Sequence, residues 1–247
     1  MSATQPRRTA IGVMAKAPIS GLAKTRLGQA IGFDAAARLY QAFLLDTLQT
    51  LQDGSGRGGE VISIVERRVT CPDSLHAAAL EPIVGPRWPA IPQRRPGLMG
   101  AIRDTFDDGF AAGADIVVVI DADSPGLPYA HFEKCLRLTD NHAVVLGPTL
   151  DGGYYLLAAR RDSEPHLTEL LLGRPYDGAT ICVDTIRRAQ VLGLSATAGP
   201  VGFDVDTLDD LRRLVHDLPR RPVSYLYHTR VALESIREIA GSLRNAR

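Results

Sequence analysis

The sequence has few cysteines, few aromatic residues and no long apolar run. Its 247 residues include three cysteines, one tryptophan and only 6% aromatic side chains. Cys71, Cys135 and Cys182 are odd in number and widely separated, which argues against a disulfide framework or a zinc site and predicts buried small apolar residues. No stretch approaches the roughly 20 apolar residues that a membrane helix needs.

The sequence also lacks a net charge and a signal-like N-terminus. Lys plus Arg and Asp plus Glu both number 28, which argues against a protein that binds nucleic acid through bulk electrostatics. The opening residues, MSATQPRR, are polar and lead into only a short apolar run, unlike a signal peptide. We therefore expect a cytoplasmic protein with neither a membrane nor a nucleic-acid partner.

What the sequence does contain is an alternation of short apolar strands and amphipathic helices. Thr9–Ala15 and Ile116–Ile120 are rich in β-branched residues and predict buried strands. Asp34–Leu51 has one broad apolar face and predicts a helix with Asp34 as its N-cap. Further predicted elements are strands at Val61–Val65, Ala143–Leu146 and Tyr154–Ala158 and helices at Met99–Ala112, His131–Leu138, Ala179–Leu192 and Thr207–His216. The alternation predicts a single-domain α/β fold, a mostly parallel sheet flanked by helices.

The predicted domain organisation is simple. We expect a flexible N-terminus at 1–8, one domain at 9–218 and a C-terminal helical extension at 219–247 that packs on the same domain. Val223–Leu243 is amphipathic and packs either across the body or onto a second subunit of a homodimer. Asp53–Glu60 is rich in glycine and predicts a surface loop, whereas the five prolines of Pro82–Pro96 predict neither strand nor helix.

The loop after the first predicted strand carries the first candidate site. Ligands of an open α/β sheet bind beyond the carboxyl ends of its strands. Here Lys16, Gly21, Lys24 and Arg26 come within eleven residues. A glycine loop and a following helix N-terminus favour anions, and Lys and Arg suit phosphate oxygens. The loop therefore predicts a phosphate site, and a solvated basic loop is the alternative.

Carboxylates follow two other segments. Asp121 and Asp123 end the most apolar strand with a spacing of two, so in extended backbone they point the same way. Such hard oxygen ligands suit Mg²⁺ or Mn²⁺, and the alternative is a turn-forming Asx pair. Asp204 and Asp206 precede Thr207, the predicted cap of a helix. Capping accounts for Thr207 but not for the two aspartates, which we expect to complete a metal site with Asp123.

A fourth segment, Asp151-Gly152-Gly153, precedes a predicted strand. Paired glycines allow a ligand to approach the backbone closely, so both glycines are candidates for contact with a nucleotide phosphate. A plain hairpin turn accounts for the same residues. The six histidines show no catalytic or ligand spacing.

In order along the chain, these four segments resemble a known family. The runs M-A-K-A-P-x-x-G-x-x-K-T-R-L, D-x-D-S-P, D-G-G-Y-Y-L-L and D-V-D-T-x-x-D-L are similar to those of the rSAM/selenodomain-associated transferases. These belong to the nucleotide-diphospho-sugar transferase superfamily, with the glycosyltransferase A fold. The same landmarks are similar to those of 2-phospholactate and phosphoenolpyruvate guanylyltransferases. The resemblance runs from Ile11 to Leu214, and it implies a GT-A-like fold, a divalent metal and a nucleotide or nucleotide-sugar ligand.

Carried onto this sequence, the resemblance implies roles for individual residues. Lys24 and Arg26 would hold a triphosphate, and Asp123 and Asp206 would bind Mg²⁺ or Mn²⁺, with Asp204 a close competitor. We expect Asp123 and at least one of the other two aspartates to converge on one metal ion. The chain departs from the rSAM-associated pattern in Gly97–Ile102, which lacks the Asp and Arg of G-D-L-G-x-R.

Three functions agree with these features. The first is transfer of an NMP group, GMP in the guanylyltransferases, from an NTP to a small phosphorylated acceptor. Three cations in one loop favour it, because they suit a triphosphate and this chemistry depends on positioning and charge neutralisation. The second is glycosyl transfer from a nucleotide sugar, with Asp151 as the base that activates an acceptor hydroxyl. The third is a nucleotide-binding protein without catalysis.

Overall fold

The computed structural model of the chain describes residues 6–53, 62–172 and 179–236. Its strands are β1 (Arg7–Met14), β2 (Ile62–Cys71), β3 (Ala90–Pro92), β4 (Ile116–Asp121), β5 (Val144–Pro148), β6 (Tyr154–Arg160) and β7 (Ala196–Ala198). Within the described residues they form one sheet in the order β3-β2-β1-β4-β6-β5-β7. Only β6 runs antiparallel to its neighbours, β4 and β5, among these strands. The predicted α/β class and mostly parallel sheet are confirmed.

Helices connect the strands and cover both faces of the sheet. They are α1 (Thr25–Ile31), α2 (Phe33–Asp53), α3 (Ser74–Val84), α4 (Gly97–Ala111), α5 (Tyr129–Leu138), α6 (Leu167–Leu171), α7 (Ile181–Val191), α8 (Leu208–Asp217) and α9 (Tyr227–Ser235). Two 3₁₀ turns, Arg161–His166 and Leu218–Arg220, follow β6 and α8. Among the described residues, no helix combines the length and the apolar character that crossing a membrane would require.

The central strands are apolar because helices bury them on both sides. Val118 of β4 packs among residues of α2, α3 and α5, whereas its neighbour Val117 packs among residues of α4, α6 and α7. Each fully buried side chain of this size stabilises the fold by about 1.5–3 kcal/mol. β1 pairs with β4 in parallel register, from Thr9 opposite Ile116 to Met14 opposite Asp121. The predicted burial of these two strands is therefore confirmed, and the structure shows that they are neighbours in the sheet.

The helix ends show where local signals succeed and fail. Thr207 caps α8 in a reciprocal capping box with Asp210, as predicted. The predicted N-cap role of Asp34 is wrong, because α2 begins at Phe33 and Asp34 lies in its first turn. The residue before α2 is Gly32, which also ends α1 and accepts the N–H of Ala36 at 3.0 Å. The sequence analysis gave no bounds for the preceding helix α1, although it expected a helix start after the glycine loop.

The proline-rich segment Pro82–Pro96 is more regular than its composition indicates. α3 continues through Pro82 to Val84, and Ala90–Pro92 forms strand β3. Pro82 lies in the last turn of α3, and Pro92 is tolerated because β3 is an edge strand. The prediction of an entirely irregular segment is therefore wrong.

The C-terminal helix α9 is joined to α2 by a buried carboxylate. Asp46 of α2 is 3% exposed and accepts the backbone N–H groups of His228 and Thr229 at 3.0 and 2.8 Å. It also accepts the hydroxyl of Thr229 at 2.6 Å. The predicted helix Val223–Leu243 thus begins later, at Tyr227. Its part beyond 236 lies outside the described residues, as do 54–60 of the predicted glycine loop and 1–5, and the predicted domain boundaries stay a prediction.

Candidate active site

Three separate segments of the chain meet at the carboxyl edge of β1 and β4. β1 ends at Met14 opposite Asp121, the last residue of β4, so the loops that follow both strands start side by side. The third segment reaches the same point because the N–H of Val205 donates to the carbonyl of Asp123 at 3.0 Å. Three of the four motifs that are far apart in the sequence are therefore neighbours here.

Lys24 lies between two of the predicted metal ligands. Its Nζ is 2.8 Å from Oδ1 of Asp123 and 2.7 Å from Oδ1 of Asp206, and its side chain is 3% exposed. Although burial lowers the pKa of Lys24, the two carboxylates raise it above its ordinary value, so the group is an ammonium. Arg26 donates to Oδ2 of Asp206 at 2.5 Å and is 67% exposed. The structure thus brings Asp123 and Asp206 together on one cation.

The backbone of Lys24 is left-handed, with φ 51° and ψ 47°, at the residue before α1. This conformation costs a non-glycine residue roughly 1–2 kcal/mol. The carbonyl of Lys24 accepts the N–H of Gly28 at 2.7 Å, so the residue already belongs to the helical hydrogen-bond pattern. The unusual backbone coincides with the side chain that joins the two carboxylates.

A second pair of carboxylates lies beside the first. Ser124 Oγ donates to Asp204 Oδ1 at 2.5 Å and lies 3.3 Å from Asp121 Oδ2. Burial raises the pKa of Asp121 well above its ordinary value, and the negative charges of Asp204 and Asp123 add to this effect. Burial also raises the pKa of Asp204 to about 6, against the hydrogen bond from Ser124 and with the charge of Asp151 adding to the rise. The charge of Lys24 favours the ionised form of both groups, but burial and the neighbouring carboxylates outweigh it.

Asp206 differs from that pair. Burial raises its pKa, but the charges and hydrogen bonds of Lys24 and Arg26 outweigh burial and lower it below the ordinary value. One ammonium and one guanidinium therefore neutralise Asp206, while the more deeply placed Asp121 and Asp204 stay without a positive partner of comparable strength.

The donor set fits a hard divalent cation. Aspartate oxygens are the ligands that Mg²⁺ and Mn²⁺ take, and the Lys24 ammonium stands in for such a cation between Asp123 and Asp206. Within the part of the chain that the structure describes, no group of three or more His, Cys, Asp or Glu residues is already arranged to hold a metal ion. The chemistry of the residues therefore fits the metal that the resemblance implies, in an arrangement that an ammonium now occupies.

The other two candidate residues of the first loop, Lys16 and Gly21, are exposed. Lys16 is exposed, and its backbone N–H donates to the hydroxyl of Tyr40 at 3.0 Å. Gly21 has φ +79°, a conformation that favours glycine, and no atom lies within 4 Å of where its Cβ would be. The structure thus leaves Lys16 and Gly21 accessible at the edge of the site.

Tyr40 and Ser124 belong to the site although the sequence analysis did not select them. Burial raises the pKa of Tyr40 well above its ordinary value, and the charges of Asp123 and Asp121 raise it further. Helical periodicity assigns Tyr40 to the apolar face of α2. It does not show that carboxylates lie near this side chain. Ser124 could have been found, because it lies inside the D-x-D-S-P run.

The Asp151-Gly152-Gly153 segment forms the turn between β5 and β6. Asp151 Oδ1 accepts the hydroxyl of Thr149 at 2.5 Å and the N–H of Gly153 at 3.0 Å. Gly152 has φ +95°, and a Cβ there would lie 2.0 Å from the carbonyl oxygen of Ala179, so only glycine fits. The N–H of Gly152 donates to the Thr149 carbonyl at 3.2 Å. Both glycine N–H groups are therefore used within the turn, and the charge of Asp151 reaches Asp204.

A second charged cluster follows β3. Oδ2 of Asp104 accepts the backbone N–H groups of Arg94 and Arg95 at 2.5 and 2.8 Å, and its Oδ1 also accepts the Arg95 guanidinium. Arg94 donates to both oxygens of Asp108, at 2.7 and 2.8 Å. Burial raises the pKa of Asp104, but the two N–H groups and the guanidinium outweigh it, so the pKa is lowered. The sequence analysis did not identify this cluster.

Comparisons with known proteins bear on the fold and on the enzyme class. The model of a family described as "Uncharacterized protein conserved in bacteria" (DUF2064) matches residues 62–177, just under half of the chain. No match was found among the curated proteins. Many solved structures match, and one of them, a candidate nucleotide-diphospho-sugar transferase from Desulfovibrio desulfuricans, is 26% identical with a TM-score of 0.78. The alignment covers 94% of this chain and 97% of that protein.

Two further structures share the fold at lower identity. A cytidylyltransferase from Leptospira borgpetersenii is 14% identical, with a TM-score of 0.55 and coverage of 98% of this chain and 99% of that one. Molybdopterin-guanine dinucleotide biosynthesis protein A from Archaeoglobus fulgidus is 14% identical, with a TM-score of 0.52 and coverage of 86% and 100%. The predicted enzyme class, a transferase, agrees with these relatives. The chain resembles the nucleotide-diphospho-sugar transferases and has their fold, as its four motifs predict.

Proposed function

We propose that this protein is a metal-dependent nucleotidyltransferase that moves an NMP group from an NTP to a small phosphorylated acceptor. One observation carries the proposal. Lys24 and Arg26 contact the same carboxylate, Asp206, at the carboxyl edge of the two central strands. Basic and acidic side chains lie next to each other at this edge. Such a site suits a phosphate chain that carries a bound metal ion.

In the proposed site, Asp123 and Asp206 hold Mg²⁺ or Mn²⁺, with Asp204 and Asp121 as the adjoining candidate ligands. When bound, the metal would neutralise phosphate charge and orient the phosphates. The raised pKa values of Asp121 and Asp204 support this assignment, because a divalent cation would favour their ionised forms.

The cations of the first loop bind the triphosphate in this proposal. Arg26 is exposed and forms a fork that suits phosphate oxygens, and Lys16 extends from the same loop toward solvent. An acceptor phosphate oxygen attacks the α-phosphorus, the bond to the β-phosphate oxygen breaks, and pyrophosphate leaves with the electron pair. The protein's contribution is positioning and charge stabilisation, which requires no nucleophilic side chain.

Glycosyl transfer is the second candidate, and two observations favour it. One solved structure that is 26% identical to this chain is a candidate nucleotide-diphospho-sugar transferase. Asp151 is exposed and lies near enough to Asp204 for its charge to raise the pKa of that group. In this alternative Asp151 acts as the base that activates an acceptor hydroxyl, while the metal holds the diphosphate of the donor.

One ligand screen tests both candidates. Thermal unfolding is measured with the four NTPs and a panel of nucleotide sugars, each with and without Mg²⁺ or Mn²⁺. We expect an NTP and metal together to raise the unfolding temperature more than either alone. Products are then analysed for pyrophosphate release, which marks nucleotidyl transfer, or for a released nucleoside diphosphate, which marks glycosyl transfer. If no nucleotide changes the unfolding temperature in the presence of metal, the proposal is wrong.

A further inference from the structure

Lys24 makes the same contacts that a metal ion would make with the first carboxylate pair. One buried ammonium lies 2.8 Å from Asp123 and 2.7 Å from Asp206, whereas Arg26 contacts only one of the two and is largely exposed. The ammonium is therefore a resident counterion, held where two negative side chains would otherwise repel each other.

A metal ion and this ammonium cannot share the carboxylate pair in the same arrangement. Mg²⁺ binds its oxygen ligands at about 2.0–2.1 Å, which is shorter than the contacts between the carboxylates and the ammonium. Carboxylate oxygens that move close enough to bind the metal would therefore lose their contacts with Lys24. A buried ammonium without partners is strongly disfavoured. Metal alone would therefore displace Lys24 from both of its ion pairs, and a bound phosphate chain would supply a new partner for the ammonium.

The backbone of Lys24 favours such a movement. Its left-handed conformation is uncommon for a residue with a side chain, and the two ion pairs offset its cost. Gly21, in the loop before Lys24, is exposed. No atom lies within 4 Å of the position that a Cβ would take there, so this part of the loop has room to move. Loss of the ion pairs therefore removes the interactions that favour the present position of Lys24.

We propose that Lys24 exchanges between two partners: the Asp123–Asp206 pair in the metal-free protein and the phosphates of the nucleotide once metal is bound. This inference rests on the function proposed above. It makes metal and nucleotide binding interdependent. Metal binding releases Lys24 from the carboxylates, and the nucleotide phosphates neutralise the released ammonium. Free metal accordingly binds weakly, and the nucleotide tightens it.

The test is Mn²⁺ binding to the nucleotide-free protein, measured by calorimetry at one pH and one ionic strength. Lys24→Met removes the ammonium and retains an unbranched side chain of similar length. Lys24→Gly removes it and also suits the left-handed backbone, which protects against a folding defect. We expect both variants to bind Mn²⁺ about tenfold more tightly than the wild type, equivalent to about 1.4 kcal/mol. We expect GTP without metal to bind about tenfold more weakly.

Two controls separate this effect from a general loss of positive charge. Lys16→Met removes an exposed cation from the same loop, so its Mn²⁺ affinity should stay close to that of the wild type. Lys24→Arg keeps a cation at the site and should also bind Mn²⁺ like the wild type. If the two controls bind Mn²⁺ as tightly as Lys24→Met, the exchange is contradicted.

The remaining outcomes distinguish this inference from the proposed function. If GTP tightens Mn²⁺ on the wild type but the folded Lys24 variants bind free Mn²⁺ no more tightly, the exchange is overturned and the proposed function stands. If Mn²⁺ binds to none of these proteins with or without GTP, both are overturned. If the Lys24 variants fold only when Mn²⁺ is added, the metal has replaced the ammonium and the exchange is supported.

Discussion

Two clusters of aspartates lie at the same edge of the sheet and differ in their balance of charge. The cluster after β3, with Asp104 and Asp108, is matched by arginines and backbone N–H groups, and both pKa values are lowered. At the candidate active site, by contrast, burial and like charges raise the pKa values of Asp121 and Asp204. The first cluster is complete as it stands, whereas the second would gain from an added cation.

This difference separates a structural role from a functional one. Asp104 and Asp108 secure the loop after β3 to α4, and nothing in their surroundings calls for a ligand. The buried negative charges of Asp121 and Asp204 destabilise the fold. Such a cost is expected at a functional site, where a bound ligand neutralises the charges. Four substitutions and measurements test the distinction.

The largest effect is expected from Asp123→Asn. The variant loses one of the two charges that we assign to the metal, so metal-dependent turnover should fall by about a hundredfold or more. The thermal unfolding of the metal-free protein should change little, because Asp123 is about half exposed and Lys24 keeps its ion pair with Asp206. Turnover at saturating Mg²⁺ and a thermal melt are the two measurements. Full activity in this variant would contradict the metal assignment.

The next effect is on stability, from Asp104→Ala. The substitution removes the acceptor of two backbone N–H groups and one guanidinium at a side chain that is 3% exposed. We expect the free energy of unfolding to fall by about 3 kcal/mol, measured by denaturant titration. Metal and nucleotide affinity should remain those of the wild type. A loss below about 0.5 kcal/mol, the usual range of surface substitutions, would show that the cluster is not structural.

A smaller effect of opposite sign is expected from Asp121→Asn. The amide is close to the carboxylate in shape and removes a buried charge that lies near Asp204 and Asp123. We expect the metal-free protein to gain about 1 kcal/mol in its free energy of unfolding, and to lose much of its stabilisation by Mn²⁺ with GTP. Denaturant titrations with and without these ligands provide the measurement. Destabilisation of the metal-free protein would remove the contrast with Asp104.

The smallest effect is the acid dependence of the cluster after β3. The pKa values of Asp104 and Asp108 are lowered in the folded protein, so their ionised forms stabilise the fold above the unfolded pKa of about 3.9. That contribution is lost as the pH falls from about 4 through the folded values. The stability of Asp104→Asn should therefore fall less steeply than that of the wild type below pH 4. Parallel curves for the two proteins would contradict the structural role.

The sequence predicted the parts of the fold that depend on apolar pattern. β1 and β4 were expected because continuous β-branched runs are buried on both faces of a parallel sheet. The Lys24 loop and the Asp121–Asp123 pair were expected at the site because each follows a predicted strand, whereas Asp204 and Asp206 were selected because helix capping does not account for them. Local signals failed at two helices: α2 starts at Phe33, directly after α1, so Asp34 is not its cap, and α3 continues through Pro82 to Val84.

The arrangement inside the site could not be predicted from the sequence. Lys24 was expected to face phosphate, and its contact with Asp123 and Asp206 depends on a left-handed backbone that no residue preference indicates. Tyr40 and Asp104 were missed because each lies in a helix whose periodicity describes only burial. Spacing shows which residues reach one edge of the sheet, but not which of them neutralise one another.

The carboxylate of Asp46 has a consequence for the order of synthesis. It lies in the second helix of the chain, yet it accepts the N–H groups of His228 and Thr229, which are made 182 and 183 residues later. While a ribosome is still translating, this side chain has no such donors and must stay hydrated. α2 therefore cannot reach its final packing when it emerges, and the fold is completed only after the last described helix has left the ribosomal tunnel.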